Sequence, residues 1–235
     1  MNKFIFQRFT TKISNYLIFS CLISLGLANP AQAVLQNGSF EDGGFVDTSG
    51  TGDGFEFLAG GSTKITGWTV GGVGVDWHDG ITFDSPQDGS LLVDLNLNGT
   101  PGQTGTLSQT FATNVGETYE LSFYLAGAGA VSNGFSPNRS VTVDIAGINQ
   151  VFSTPASDGT VLTWEEHTLG FTATGASTTL TFSSPDDTGF WGPLLDDVSV
   201  TAVPFEFSPG LGLLAVGGVF GISRLRKKAA TKIEK

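Results

Sequence analysis

Cysteine is almost missing from this sequence: Cys21 is the only one, and it sits in an apolar stretch near the N-terminus. That excludes disulfide stapling, thiol catalysis and a cysteine zinc site for the rest of the chain. Bases are scarce as well. Between Val34 and Val203 the only cations are Lys64 and Arg139, whereas all but two of the 22 acids fall in that span and the formal net charge is −11. Such a surface repels phosphate backbones and anionic headgroups, so nucleic acid is excluded as a partner, while neutral polysaccharide and hard cations suit it. The same acidity also serves to keep an exported protein soluble. Histidine is limited to His78 and His167, and no G-x-S-x-G elbow occurs, which leaves little for Ser/His/Asp chemistry. Helical periodicity is absent from the middle of the chain.

The ends differ from the middle. Lys3, Arg8 and Lys12 precede the apolar run YLIFSCLISLGLA (16–28), and ANPAQA ends on the small residues Ala31 and Ala33. This reads as a secretory signal over 1–33 with cleavage before Val34. At the other end, a charge-free segment from Phe207 to Ser223 is followed by Arg224, Arg226, Lys227 and Lys228. An apolar span with a basic cluster behind it predicts a membrane helix whose C-terminus is cytoplasmic, with the globular part outside. The expected organisation is a signal (1–33), one domain (34–203) and a sorting tail (204–235). The tail resembles PEP-CTERM sorting signals, with VPFEFSP standing where that class usually shows Pro-Glu-Pro. The resemblance implies recognition by an exosortase, a transient membrane anchor, and a mature domain on the cell surface or in the extracellular matrix.

What fills the middle is alternation. In TYELSFYLA (118–126), Tyr119, Leu121, Phe123 and Leu125 share one face; SVTVDIAG (140–147) and TTLTFSS (178–184) repeat the pattern. KITGWTV, GVDW, SLLVDLN, TLSQTF, WEEHTLGF and LLDDVSV are further strand candidates, separated by Gly, Asn, Asp and Pro clusters. The spacing predicts an all-β jelly-roll β-sandwich. Two segments echo each other, FATNVGETYELSF (111–123) and FTATGASTTLTF (171–182), and are expected to be similar hairpins; the Gly-rich stretch 41–61 is expected to be a long loop.

LQNGSFEDG (35–43), GSTKITGWTV (61–70), VDW (75–77), DGSLLVDLN (88–96), LSQTF (107–111), GETYELSFYLAG (116–127), Trp164, FTATGASTTLTFSS (171–184) and GPLLDDVSV (192–200) follow one another in a single order. This ordered set resembles the bacterial choice-of-anchor C family, related to the DUF642 proteins of plant cell walls. The resemblance implies a galactose-binding-like jelly roll that is non-catalytic and associated with polysaccharide. It also implies that Glu41 and Asp196 lie where carbohydrate-binding jelly rolls commonly hold calcium at the junction of their two ends.

Strand parity sharpens that expectation. On a regular strand Asp196 shares its face with Val198 and Val200, and Asp197 with Leu195 and Ser199. If the valines face the core, Asp196 points inward and needs a partner. A structural calcium held by Glu41, Asp196 and, more weakly, Asp197 would supply it. Hydrogen bonds from backbone amides are the alternative.

Sugar recognition needs aromatic faces with a few fixed polar groups. The expected ligand-binding residues are Trp77 with Asp76 and His78 in VDWHDG, then Trp191 with Phe190 in TGFWGP; Trp68 and Trp164 are expected in the core. A glycosidase needs two carboxylates flanking one bond, and the adjacent Glu165 and Glu166 of WEEH point to opposite faces of a strand. Asp76 with Asp79, or Asp186 with Asp187, could still be paired by folding. The sequence thus predicts a surface-displayed module that binds polysaccharide without chemically changing it. A matrix protein that adheres to other proteins is the alternative, and a glycoside hydrolase the third reading.

Overall fold

Alternating β-branched and aromatic residues fit a pleated, half-buried surface, and the chain folds accordingly. The computed structural model describes residues 35–50, 52, 54–80, 86–97, 103–127, 129, 137–157, 161–185 and 192–203. These form β1 (Phe55–Ala59), β2 (Thr69–Gly72), β3 (Gly74–Asp79), β4 (Leu91–Asp94), β5 (Gly105–Ala112), β6 (Thr118–Gly127), β7 (Asn138–Ile145), β8 (Ile148–Pro155), β9 (Glu165–Thr172), β10 (Ser177–Ser183) and β11 (Pro193–Ala202). A six-stranded sheet runs β1-β3-β4-β11-β6-β9 and a five-stranded sheet runs β2-β5-β10-β7-β8. Neighbours within each are antiparallel, and no helix long and apolar enough to cross a membrane occurs among the described residues. The signal (1–33) and the tail (204–235) lie outside them.

The two sheets pack face to face as a β-sandwich. Val75, Trp77, Val93, Tyr119, Leu121, Phe123, Leu125, Leu195 and Val200 come inward from one sheet, and Leu107, Phe111, Val141, Val143, Ile145, Leu180 and Phe182 from the other. Each such side chain contributes about 1.5–3 kcal/mol when fully buried, and with no cysteine in the described domain this core is what holds it. Trp68 is buried as expected and stacks obliquely on Phe40 at 5.4 Å, while its Nε1 donates to the Asn37 carbonyl. Trp164 is half-buried and packs on Leu92, Ala126 and Leu194.

Several sequence expectations need correcting. The Gly-rich stretch 41–61 is not loop throughout, because Phe55–Ala59 pairs with β3 as an edge strand. β8 has no counterpart among the expected strands: at an edge, neither face is cleanly apolar, so INQVFSTP shows little alternation. The two echoing segments are not hairpins. β5 and β6 lie in different sheets, as do β9 and β10, so each segment is a corner that carries the chain across the sandwich. The two corners bond to each other, Thr113 N–H to the Ala176 carbonyl (3.0 Å) and Ala173 N–H to the Glu117 carbonyl (2.9 Å). Their likeness in sequence reflects this shared job.

The parity argument for the two adjacent aspartates also fails, for a definite reason. Asp196 is opposite Tyr124 and Ser199 is opposite Ser122, with a register shift between them, so Asp197 and Val198 together face the single residue Phe123. This is a β-bulge, with Asp197 in the left-handed region at φ 45°. Aspartate tolerates that conformation better than most residues. The bulge lets Val198 and Val200 face the core while Asp196 stays on the outer face of the sheet.

Candidate functional site

Across the outer face of the six-stranded sheet the register sets Phe57, Asp76, Asp94, Leu194 and Ala126 side by side. Two residues along the strands runs a second row, in which Phe55 faces His78 and His78 faces Leu92, with Asp196 opposite Tyr124 and Tyr124 opposite Glu166. One aromatic in these rows is well exposed: Phe57, at 47%. Asp76, His78 and Asp94 are buried, which is unusual for polar residues on an outward face.

Asp94 anchors this region. Its Oδ1 accepts the N–H groups of Asn96 (2.8 Å) and Gly192 (3.1 Å). Burial drives its carboxyl well above the usual range and the Asp76 carboxylate pushes in the same direction, while the amides and Arg139 pull back. His78 lies on the same face, its ring tilted over Phe55 at 5.5 Å, and burial lowers its pKa to about 4. It is therefore a neutral imidazole at pH 7.

A second cluster closes the domain. Glu41 Oε1 accepts the N–H groups of Ser90 (2.8 Å) and Leu91 (2.6 Å), and its Oε2 accepts the Ser90 hydroxyl (2.9 Å). Asp196 Oδ2 accepts the N–H of Asp88 (3.0 Å) and Oδ1 that of Asp197 (2.7 Å). Ser39 donates to the Asp88 carboxylate at 2.7 Å. The first segment also lies directly on the last strand, where Val198 N–H donates to the Gly38 carbonyl at 3.0 Å. Burial raises the Asp196 pKa to about 7, against the pull of those amides, and burial with nearby Asp88 and Glu166 raises that of Asp197.

The structure links Glu41 and Asp196 through a loop that both hold. Asp197 stands apart on the bulge. Do these acids fit a calcium? As arranged, the oxygens of Glu41 and Asp196 are aimed at N–H donors, which a cation shell would have to displace. Among the described residues no group of three or more acid, histidine or cysteine side chains is spaced for a metal. The arrangement fits a hydrogen-bonded clasp.

Trp77 needs a correction. It and Val75 face the core, and its ring, fully buried, meets Phe45 edge-on at 5.3 Å. It offers no face to a ligand, and the alternation of β3 puts it on the side opposite Asp76 and His78. The aromatics beside those two residues are Phe55 and Phe57, which sequence reasoning assigned to a loop; the alternation in FEFLA was the available signal. Asp94 was missed likewise, although an aspartate closing the apolar run LLVD was visible. Phe190, Trp191, Asp186 and Asp187 lie outside the described residues. Glu165 and Glu166 point to opposite faces, opposite Leu125 and Tyr124 respectively, and three positions of strand separate Asp76 from Asp79 to the same effect.

Fold and site together define an all-β sandwich whose first segment and last strand are clasped, with a polar face built on the larger sheet. The chain belongs to the DUF642 family, described as a protein family of unknown function, whose model matches residues 33–201. No curated protein matches it. Among solved structures it is similar to a carbohydrate-binding module described as "CBM4 structure and function", with 18% identity over 72% of this chain and 100% of that one and a TM-score of 0.40. It is similar to TmCBM61 in complex with β-1,4-galactotriose, with 17% identity over 73% and 99% and a TM-score of 0.48. A third is a family 35 carbohydrate-binding module from Clostridium thermocellum, with 15% identity over 63% and 99% and a TM-score of 0.42.

Proposed function

We propose that this protein is an exported module that binds neutral polysaccharide at the outer face of its six-stranded sheet and does not chemically alter it. One observation carries this reading. The outward-facing aromatics of the strands, Phe55, Phe57 and Tyr124, all belong to that sheet, where they stand in register with His78, Asp76 and Asp196. The outer face of the other sheet carries hydroxyls instead, among them Thr69, Ser108, Thr181, Thr106, Ser183 and Thr142. A pyranose ring stacks its apolar face on an exposed aromatic and directs its hydroxyls to fixed acceptors at the rim. Phe57 supplies the first, with Asp76 opposite it on the neighbouring strand; Glu166 and Ser122, joined by a 2.9 Å hydrogen bond, lie across the sheet and would meet other residues of a long chain. The acidic charge suits a ligand without phosphate or carboxylate.

In this reading the segment 1–33 directs export. The tail 204–235, of PEP-CTERM type, anchors the chain until an exosortase-type enzyme releases it, and the choice-of-anchor C resemblance fits a domain displayed on varied anchors. The domain then works at the cell surface or in the extracellular matrix. Affinity electrophoresis of the full chain in gels containing individual neutral polysaccharides tests the binding. Retardation in at least one gel that Phe57→Ala abolishes is expected; equal mobility in every gel sinks the proposal. Release of reducing sugar that Asp94→Asn removes would make the protein a hydrolase instead.

A further inference from the structure

A sandwich of two open sheets has four edges, and this one treats them differently. The outer edge of β1 is covered by the preceding segment, with Thr48 N–H donating to the Phe55 carbonyl at 3.0 Å. The outer edge of β2 is covered too, since Val70 N–H donates to the Ser62 carbonyl (2.9 Å) and its own carbonyl accepts from Gly61 (2.8 Å). β9 is uncovered among the described residues but carries Glu165 and Glu166, charges that deter a second strand. β8 has neither defence. None of its eight residues, INQVFSTP, is charged, and among the described residues its backbone bonds only to β7.

The exposed stretch of β8 is Asn149, Gln150 and Val151. Val151, at 56% exposure, is the exposed valine that lies within a strand; Val46, Val73, Val115, Val161 and Val203 fall outside the named strands. An uncharged, uncovered edge bearing an exposed β-branched residue is a template for another strand.

We propose that β8 is a homotypic pairing edge: two copies of this chain align it antiparallel across a two-fold axis and join their five-stranded sheets into one. The charge distribution selects a second copy as the occupant. With a formal net charge of −11, most approaches of two copies set acid against acid. β8, uncharged along its eight residues, is a strip where two copies can meet without doing so. The nearest acid on β7, Asp144, faces Asn149, whose side-chain amide reaches towards it at 3.4 Å. Antiparallel pairing about Val151 sets that valine against its own copy, Asn149 against Ser153, and Gln150 against Phe152. Every one of these is an uncharged cross-strand pair. Pro155, which lacks an N–H, ends the ladder. The arrangement leaves the aromatic-bearing face of the other sheet free and does not depend on what that face binds.

Sedimentation velocity of the full chain in mild nonionic detergent reads the association, and charge exchange at Val151 assigns it to β8. Wild type should dimerise with rising concentration. Val151→Lys and Val151→Glu should each lower the dimer fraction at least tenfold with unchanged melting temperature, because each sets like charges across the two-fold. An equimolar mixture of the two variants should dimerise again. A wild type that stays monomeric, variants that still dimerise, or a mixture that stays monomeric would each overturn the proposal.

Discussion

Glu41 and Asp196 grip one loop from the two ends of the domain, the first through the N–H groups of Ser90 and Leu91 and the second through that of Asp88. The loop becomes the buckle between the opening segment and the closing strand. Such a connection is non-local and stabilises only once both ends are in place. Each such hydrogen bond contributes about 0.5–1.5 kcal/mol, so a few of them suffice to hold the junction.

Asp196→Ala should therefore cost about 1–3 kcal/mol, since it strips the part-buried amides of Asp88 and Asp197 of their acceptor. Glu41→Ala should cost less, about 1–2 kcal/mol, because Glu41 is solvent-exposed and water can replace it. Urea denaturation of the two single variants and the double variant would also show coupling through the shared loop. Chelator and added calcium should leave the wild-type melting temperature unchanged. A chelator-induced drop that disappears in Asp196→Ala would place a cation in the clasp.

Gly38 offers a separate check on the same junction. A Cβ there would sit 1.8 Å from the Val198 carbonyl oxygen, a backbone atom that cannot move without breaking β11. Gly38→Ala should destabilise by about 3 kcal/mol or more. Gly170→Ala, on β9 with no atom within 4 Å of the added carbon, should be neutral within about 0.5 kcal/mol. Similar losses in both variants would mean that the opening segment does not lie against the last strand.

Much of this architecture could be read from the sequence, and the failures have physical causes. β6, β7 and β10 are half-buried strands, so their alternation is strict and their positions were legible. β8 escaped because an edge strand keeps no dry face. The pair Asp196–Asp197 misled because parity holds only while each residue opposes one partner, and a bulge is invisible to counting. Trp77 misled for a related reason. Its acidic neighbours suggested a surface, but Asp76 and His78 belong to the other side of the strand, where they are themselves covered. That the two ends of the domain would meet was legible only through the resemblance of NGSFEDG and LLDDVSV to the end strands of other jelly rolls.

Two aromatic substitutions on adjoining strands should separate fold from recognition. Trp77→Ala removes a fully buried side chain and should cost about 3–5 kcal/mol. Phe57→Ala, from an exposed position, should change stability by less than about 1 kcal/mol while removing retention on polysaccharide. Thermal melts alongside affinity electrophoresis would show it. Loss of binding in Trp77→Ala with an unchanged melt would return the site to the core side of β3.

Acid response gives the most discriminating measurement, because two buried groups on the outer face oppose each other over one pH range. Asp196 titrates at about 7 in the folded protein and near 3.8 when unfolded. Between those values the folded state keeps a proton that the unfolded chain has lost, so stability falls as pH rises through the window and is flat above it. His78 is shifted the other way, from 6.5 to about 4. Below pH 6.5 the unfolded chain takes up a proton that the folded protein refuses until about 4, so this contribution falls as pH falls. The wild type should therefore vary little between pH 4.5 and 6.5. Asp94, also raised, adds to the Asp196 side and His167, lowered by burial between Phe123 and Phe152, to the His78 side. Removing one member exposes the other. His78→Phe should melt higher at pH 4.5 than at pH 6.5, and Asp196→Asn should do the reverse. Parallel melting curves for the two variants across this range would show that these two groups do not carry the titration.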